Sequence, residues 1–357
     1  MILVTGGTGL VGSHLLYNLC KKETRIRATK RKNSDLDLVE KVFSYYTDDA
    51  KILLKKIDWV EAELLNLSDL EDAFIGITKV YHCAAWLSFN PKHKHQMMLT
   101  NVNSTANIVN LCLANDVEKL CHVSSVAAIG RTSNNPIINE NTAWTDGPEN
   151  SNYALSKYNS ELEVWRGIEE GLNAVIVNPT IILGPGAWDK GSSLLFHQIA
   201  NGMPFYTTGT NGFVDVRDVA TVMIKLMESK VNAERFILCS ESLPFKQTFD
   251  CIADALGKKR PHIKVGKFLN ALGWRLAKVS ALFTGKDPLI TKETALAGKS
   301  ISIYENEYEA RKNLPEAASK SDGKPRNGFL QINEEKTRST FDAWTLDFTV
   351  NLHHTTQ

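Results

Sequence analysis

An α/β chain built on a doubly wound parallel sheet is what the sequence predicts, on three observations. Short continuous apolar runs alternate with stretches at helical spacing, the pattern of strands buried on both faces and their crossover helices. Gly6, Gly9 and Gly12 stand directly after the first apolar run, Ile2-Leu3-Val4. Beyond Pro179 the rhythm loosens and Gly184-Pro185-Gly186 breaks the chain, which predicts a smaller C-terminal layer.

Each element follows in order. Ile2–Thr5 reads as a strand and Leu10–Cys20 as a helix, with Leu15, Leu16 and Leu19 on one face. Ile26–Thr29 and Trp59–Ala62 are the next strands, and Ser68 opens a helix to Phe74 as its cap. Strands Val80–Ala84 and Leu120–Ser124 enclose one helix from about His95 to Ala114. Ala174–Asn178 is a strand; Gly212–Met227 is a strand running into a helix; Arg235–Ser240 is a further strand. An amphipathic helix from Lys246 stops at Gly257 and Pro261. Phe268–Phe283 reads as a core-facing helix, with a membrane-surface helix as the weaker alternative. The expected division is a nucleotide-binding Rossmann domain over 1–183 and 213–240, a substrate-binding domain over 184–212 and 241–300, and a polar tail over 301–357.

Lys+Arg 41 against Asp+Glu 40 leaves a net charge of +1, which argues against nucleic acid and against an anionic membrane as partners. No signal peptide and no bilayer-spanning run is read. The six cysteines stand singly in apolar segments with no CxxC pair, as buried reduced thiols of a cytoplasmic protein do. His93-x-His95 lacks a third ligand at a sensible spacing, so no metal is expected.

Strand, glycine turn and helix make the context of a dinucleotide fingerprint. One glycine makes the tight turn, one admits the pyrophosphate, and one lets the helix pack on the strand. The helix N-terminus supplies N–H groups and partial positive charge. At the end of the second strand an NAD site places a carboxylate, but here stand Lys30-Arg31-Lys32. Cations there fit a 2′-phosphate, which favours NADP(H) over NAD(H). Tyr153 and Lys157 lie at i and i+4 on one helical face, and Ser124-Ser125 ends a strand at the ligand-binding edge. A nearby cation lowers a phenol's pKa towards use as an acid–base.

These pieces, with "IRATKR", "VYHCAAW", "NVNSTANIV", "HVSSVAAIG", "YALSK", "NPTIILGPG" and "FVDVRDVA" in this order, resemble an extended short-chain dehydrogenase/reductase. Within that NAD-dependent epimerase/dehydratase superfamily the pattern is most similar to the dihydroflavonol reductase, cinnamoyl reductase and 3β-hydroxysteroid dehydrogenase branch. The resemblance implies Tyr153 as proton donor, Lys157 on the nicotinamide ribose and lowering the Tyr153 pKa, and Ser125 polarising the carbonyl, with Ser124 as its alternate. It implies Gly6, Thr8, Gly9, Leu10, Val11 and Gly12 around the phosphates, and Arg31 beside Lys30 on a 2′-phosphate. The resemblance further implies that Ala84 and Ala85 pass under the adenine ribose and that Pro179 meets the nicotinamide carboxamide. Asn101 matches the family's structural asparagine among the cofactor-side residues. Glu63, followed by Leu64, stands where the family has an aspartate at the adenine, and Ser104 where a glycine is usual. Trp86, Phe89 and Trp188 are candidate walls of an apolar substrate pocket.

The reading is therefore an NADP(H)-dependent oxidoreductase acting between a carbonyl and an alcohol of a bulky apolar small molecule, as monomer or homodimer. The rivals are an NAD-dependent sugar-nucleotide epimerase and a non-catalytic NADP(H) sensor. A membrane-surface steroid dehydrogenase/isomerase is a further one, requiring Phe268–Phe283 to bind lipid.

Overall fold

The computed structural model describes residues 1–23, 25–130, 137–147, 150–188, 190–266, 274–275 and 291–304. Seven parallel strands form its main sheet: β1 (Ile2–Thr5), β2 (Ile26–Lys30), β3 (Ile57–Glu61), β4 (Lys79–His82), β5 (Lys119–Val123), β6 (Ala174–Pro179) and β7 (Glu234–Leu238). Their order across the sheet is β7-β6-β5-β4-β1-β2-β3, so the winding reverses between β1 and β4. That reversal opens a crevice at the carboxyl ends of the strands, where such sheets bind ligands.

Burial on both faces explains the continuous apolar runs. Leu3, Leu120, Ala174 and Ile176 point into one core, with Ile108, Val109 and Val164 from helices α2 (Ser104–Ala114) and α3 (Asn152–Glu169). Their strand neighbours Val4, Cys121, Val175 and Val177 point into the other, against Leu15, Leu16 and Leu19 of α1 (Leu10–Lys22) and Val219 and Met223 of α4 (Val216–Glu228). Each such large aliphatic contributes roughly 1.5–3 kcal/mol by leaving water.

A second layer carries its own core. Strand Thr210–Asp215 pairs parallel with Ile181–Leu183 and antiparallel with Glu241–Pro244. Leu183, Phe196, Phe213, Phe245, Phe249 and Ile252 fill the space beneath. The amphipathic helix spans Phe245–Ala255. Ile303–Tyr304 pairs with Ile137–Ile138, so the first residues of the expected tail form a strand, with Tyr304 buried. The rest of that tail, and the expected helix Phe268–Phe283 apart from Trp274 and Arg275, lie outside the described residues.

Four local expectations change. Helices Asp37–Ser44 and Ala50–Leu54 precede β3, and the first of them buries Val39, Val42 and Phe43 at helical spacing. The third strand starts two residues earlier than expected, at Ile57. The helix Leu67–Phe74 is capped by Asn66, whose side chain accepts from the Ser68 N–H at 3.1 Å. The single helix expected over 95–114 is divided into Lys94–Met98, a π-turn Leu99–Asn103 and α2. The Asn101 carbonyl accepts there from the hydroxyls of Thr105 (2.8 Å) and Ser104 (3.4 Å), and π-turns of this kind cluster at functional sites.

Candidate active site

At the crevice the glycines stand where side chains have no room. Gly6 has φ +69°, and a Cβ on it would lie 2.7 Å from the Ala84 nitrogen. A Cβ on Gly12 would lie 2.2 Å from the Gly6 carbonyl oxygen. The turn closes by a Gly9 N–H to Gly6 carbonyl bond of 2.9 Å. Gly9 caps α1 without a side-chain bond, and no acid occupies the first turn, so the N–H groups at Leu10, Val11 and Gly12, which have no intrahelical acceptor, are free of a competing carboxylate there. Thr8 is half-buried beside them, and exposed Ala85 continues the segment that Gly6 touches. This cradle suits a dinucleotide pyrophosphate.

Lys30 ends β2 with its ammonium 3.7 Å from the Glu61 carboxylate. Arg31 follows, exposed, its backbone N–H held by Ser34 Oγ at 2.9 Å. Glu63 is exposed, its N–H bonded to Asp69, and Leu64 lends its carbonyl to Asn107. Pro179 is buried at the end of β6.

Tyr153 and Lys157 lie on α3, started by Ser151, whose hydroxyl accepts from the Ala154 N–H at 3.0 Å. The Ser125 side chain lies beside the Tyr153 phenol, and its hydroxyl accepts from the Ala127 N–H at 3.1 Å. Burial pushes the Tyr153 phenol above its usual value, and the neighbouring Ser125 side chain works against that rise. The lowering expected from Lys157 is not what acts on the phenol here: Lys157, fully buried, donates to the Val123 carbonyl at 2.9 Å. Burial takes its ammonium down to about 8, opposed by Glu161 and Cys83. Of the two candidate serines, Ser125 meets the tyrosine, while Ser124 Oγ donates to Glu161 at 2.6 Å.

Asn101 turns its carboxamide onto protein. It accepts from the Trp86 N–H (2.7 Å) and donates to the Trp86 carbonyl (2.9 Å) and to Ser156 Oγ (3.1 Å). It therefore fixes the Trp86 segment against α3, a positioning role. Phe89 meets the Tyr153 ring edge-on at 6.1 Å, and Trp86 packs on His93 at 5.2 Å. Trp188 instead packs with the second core, edge-on to His197. His93 also bonds Ser88 through Nδ1 at 2.9 Å. All six cysteines are free thiols, four of them buried. Asp215 caps α4 through the Arg217 N–H at 2.7 Å and pairs with the Arg217 guanidinium.

The residue-level reading missed Glu161, Asn178 and Arg235. Glu161 is four positions beyond Lys157 and eight beyond Tyr153, so the spacing that singled out the pair extends to it.

The model of the NAD dependent epimerase/dehydratase family matches residues 2–239. The chain belongs to this family. Among its relatives, Sterol demethylase protein B of Methylococcus capsulatus is 29% identical over 80% of this chain and 81% of its own. A putative dihydroflavonol 4-reductase of Synechocystis is 28% identical over 88% of each chain. Tetraketide alpha-pyrone reductase 2 of Arabidopsis thaliana is 31% identical over 68% of this chain and 78% of its own. The family binds a nicotinamide cofactor, and reductases stand among these relatives, as the motif resemblance implied. No helix among the described residues is long and apolar enough to cross a membrane.

Proposed function

We propose that this family member is an NADP(H)-dependent reductase of an aldehyde or ketone on a bulky apolar molecule. The observation that carries the reading is Tyr153 on the same helix as buried Lys157, with the Ser125 side chain beside the phenol at the end of β5. The pyrophosphate would lie on the N–H groups of Leu10, Val11 and Gly12, and a 2′-phosphate on Arg31 beside Lys30. Lys157 would hold the nicotinamide ribose, and Ala84, Ala85 and Pro179 would flank the ribose and carboxamide. When bound, the reduced cofactor supplies a hydride.

The chain's own groups do the rest. Ser125 Oγ donates to the substrate carbonyl oxygen and draws electron density from its carbon. As the new C–H bond forms, the C–O π pair moves to oxygen and takes the phenolic proton of Tyr153. The resulting phenolate regains its proton from water. Phe89, edge-on to Tyr153, and half-buried Trp86 offer apolar surface beside the reacting carbon. The ring-bearing compounds in the relatives' names support a substrate of that kind.

The family model keeps one rival in view, a sugar-nucleotide epimerase that retains NAD. Such a protein purifies with NAD bound, whereas the basic end of β2 suits NADP(H).

The test is NADPH oxidation with a panel of aromatic, steroid and aliphatic carbonyls. Tyr153→Phe is expected to lower turnover by about 10²–10⁴-fold while NADPH binding persists. Turnover retained in Tyr153→Phe overturns the assignment.

A further inference from the structure

Behind Tyr153 and Lys157 lies a buried carboxylate held by protein donors. Glu161 is buried on α3, one turn beyond Lys157. Its Oε2 accepts from Ser124 Oγ at the end of β5 (2.6 Å) and from Asn178 Nδ2 on β6 (2.7 Å). Its Oε1 accepts from Arg235 on β7 (3.1 Å) and from Trp165 Nε1 (3.3 Å). Asn178 Nδ2 also donates to the Ser125 carbonyl at 3.0 Å. Arg235 is anchored in turn on the Glu140 carbonyl. One carboxylate thus ties α3 to three adjacent strands at the edge where Ser125, Tyr153 and Pro179 lie.

We propose that Glu161 is the positioning residue of the candidate site, holding Tyr153 and Lys157 in register over the strand ends and facing Lys157 with negative charge. The inference rests on the nicotinamide-binding reading of the site, and not on which carbonyl is reduced. Four donors surround this carboxylate, and buried charges persist where they are paired and hydrogen-bonded. Among the described residues, the groups that face Lys157 carry little other charge. From β4 face His82, held neutral with its pKa lowered to about 3, and Cys83, whose thiol burial pushes up. From β5 face His122, pushed well below its usual value, and the Val123 carbonyl. From α3 itself come the neutral phenol of Tyr153 and the carboxylate of Glu161.

Burial already favours the uncharged amine of Lys157, and Glu161 opposes it. Without that carboxylate the ammonium loses its proton at lower pH, and with the proton goes its hold on the ribose. The experiment is NADPH affinity by protein fluorescence from about pH 6 to about pH 9.5, which spans the Lys157 titration. Glu161→Gln is expected to bring the alkaline loss of affinity down by about one pH unit, an extra loss of up to tenfold within that window. Glu161→Asp keeps the charge and the wild-type pH dependence, with uniformly weaker binding. Ser124→Ala removes one donor but no charge and leaves the curve's shape unchanged. If Glu161→Gln alone does not fold, Glu161→Gln/Arg235→Gln removes the ion pair together and runs the test with a smaller downward shift expected, because a cation leaves with the carboxylate. Parallel pH curves for wild type and Glu161→Gln overturn the proposal. Failure of the wild type to bind NADPH or NADH overturns the cofactor reading as well, a different result from parallel curves. Absence of carbonyl turnover with the shift intact removes only the reductase assignment.

Discussion

At the glycine loop, the surface offered to a ligand is backbone. Gly6, Gly9 and Gly12 clear side chains from a turn and leave the first N–H groups of α1 open. At the other end, behind Tyr153, what is held is a side chain: Glu161 accepts from Ser124 past the end of β5, Asn178 on β6 and Arg235 on β7. The first end is governed by steric exclusion, and a single added atom defeats it. The second is governed by charge and hydrogen bonding spread over several elements, so changes there act by degrees and depend on pH.

The hardest test of this contrast is Gly12→Ala. The new Cβ would meet a backbone carbonyl oxygen at 2.2 Å, which no rotamer change relieves. Gly9→Ala meets the same oxygen at 3.2 Å, a contact that a shift of a few tenths of an ångström relieves. Overpacking of this sort costs about 1–3 kcal/mol or displaces the loop. Gly12→Ala is therefore expected to weaken NADPH binding by about 100-fold or more, and Gly9→Ala by much less. Equal affinities by fluorescence titration would show that the loop is not the phosphate cradle.

What could be read in advance follows the same division. The Gly6–Gly12 spacing is a local pattern, legible because exclusion leaves a mark on consecutive residues. Tyr153 and Lys157 were legible as an i, i+4 pair. Glu161 continued that spacing, but its partners Ser124, Asn178 and Arg235 come from three strands far apart in the chain. The π-turn at Asn101 went unseen because its cause is tertiary: the carboxamide spans from Trp86 to Ser156. Helix Asp37–Ser44 did show its Val39, Val42, Phe43 spacing, but lies among charged residues that masked it.

Histidines sharpen the comparison through stability. His14, near the glycine loop, bonds Tyr46 and the Pro185 carbonyl, and burial lowers its pKa to about 4. Behind the Tyr153 end, His82 is lowered to about 3 between Thr5 and Thr105. Its neighbour His122 is pushed well below its usual value, and neither of its ring nitrogens has a hydrogen-bond partner among the described residues. All three shifts are depressions, so the unfolded chain binds more protons below the ordinary value of 6.5. Stability is full above that pH and falls as pH drops towards the folded-state values. Each histidine removes about 1.4 kcal/mol per pH unit in that range. The Tm is expected to fall steeply from pH 6.5 to 5, and replacing His82 and His122 with apolar residues should flatten the fall more than replacing His14. A Tm unchanged across that range would refute the neutral burial of all three.

The smallest expected effect lies at the outer rim of the glycine end, where both materials meet water. Arg31 is exposed and follows the strand that Lys30 closes, while Lys30 lies near Glu61. Part of the Lys30 charge is therefore offset, and Arg31 is the planar, bidentate donor suited to a 2′-phosphate. Exposure and salt screen the contact, so its loss is modest beside that of Gly12→Ala. Arg31→Ala is expected to weaken NADPH binding by about tenfold at low salt, in line with one charge-assisted contact of about 1.5 kcal/mol, and to leave NADH binding unchanged. The difference should shrink as salt is raised. Equal losses for the two cofactors would mean that Arg31 shapes the turn rather than reads the phosphate, and the proposal of NADP(H) would lose its support at this position.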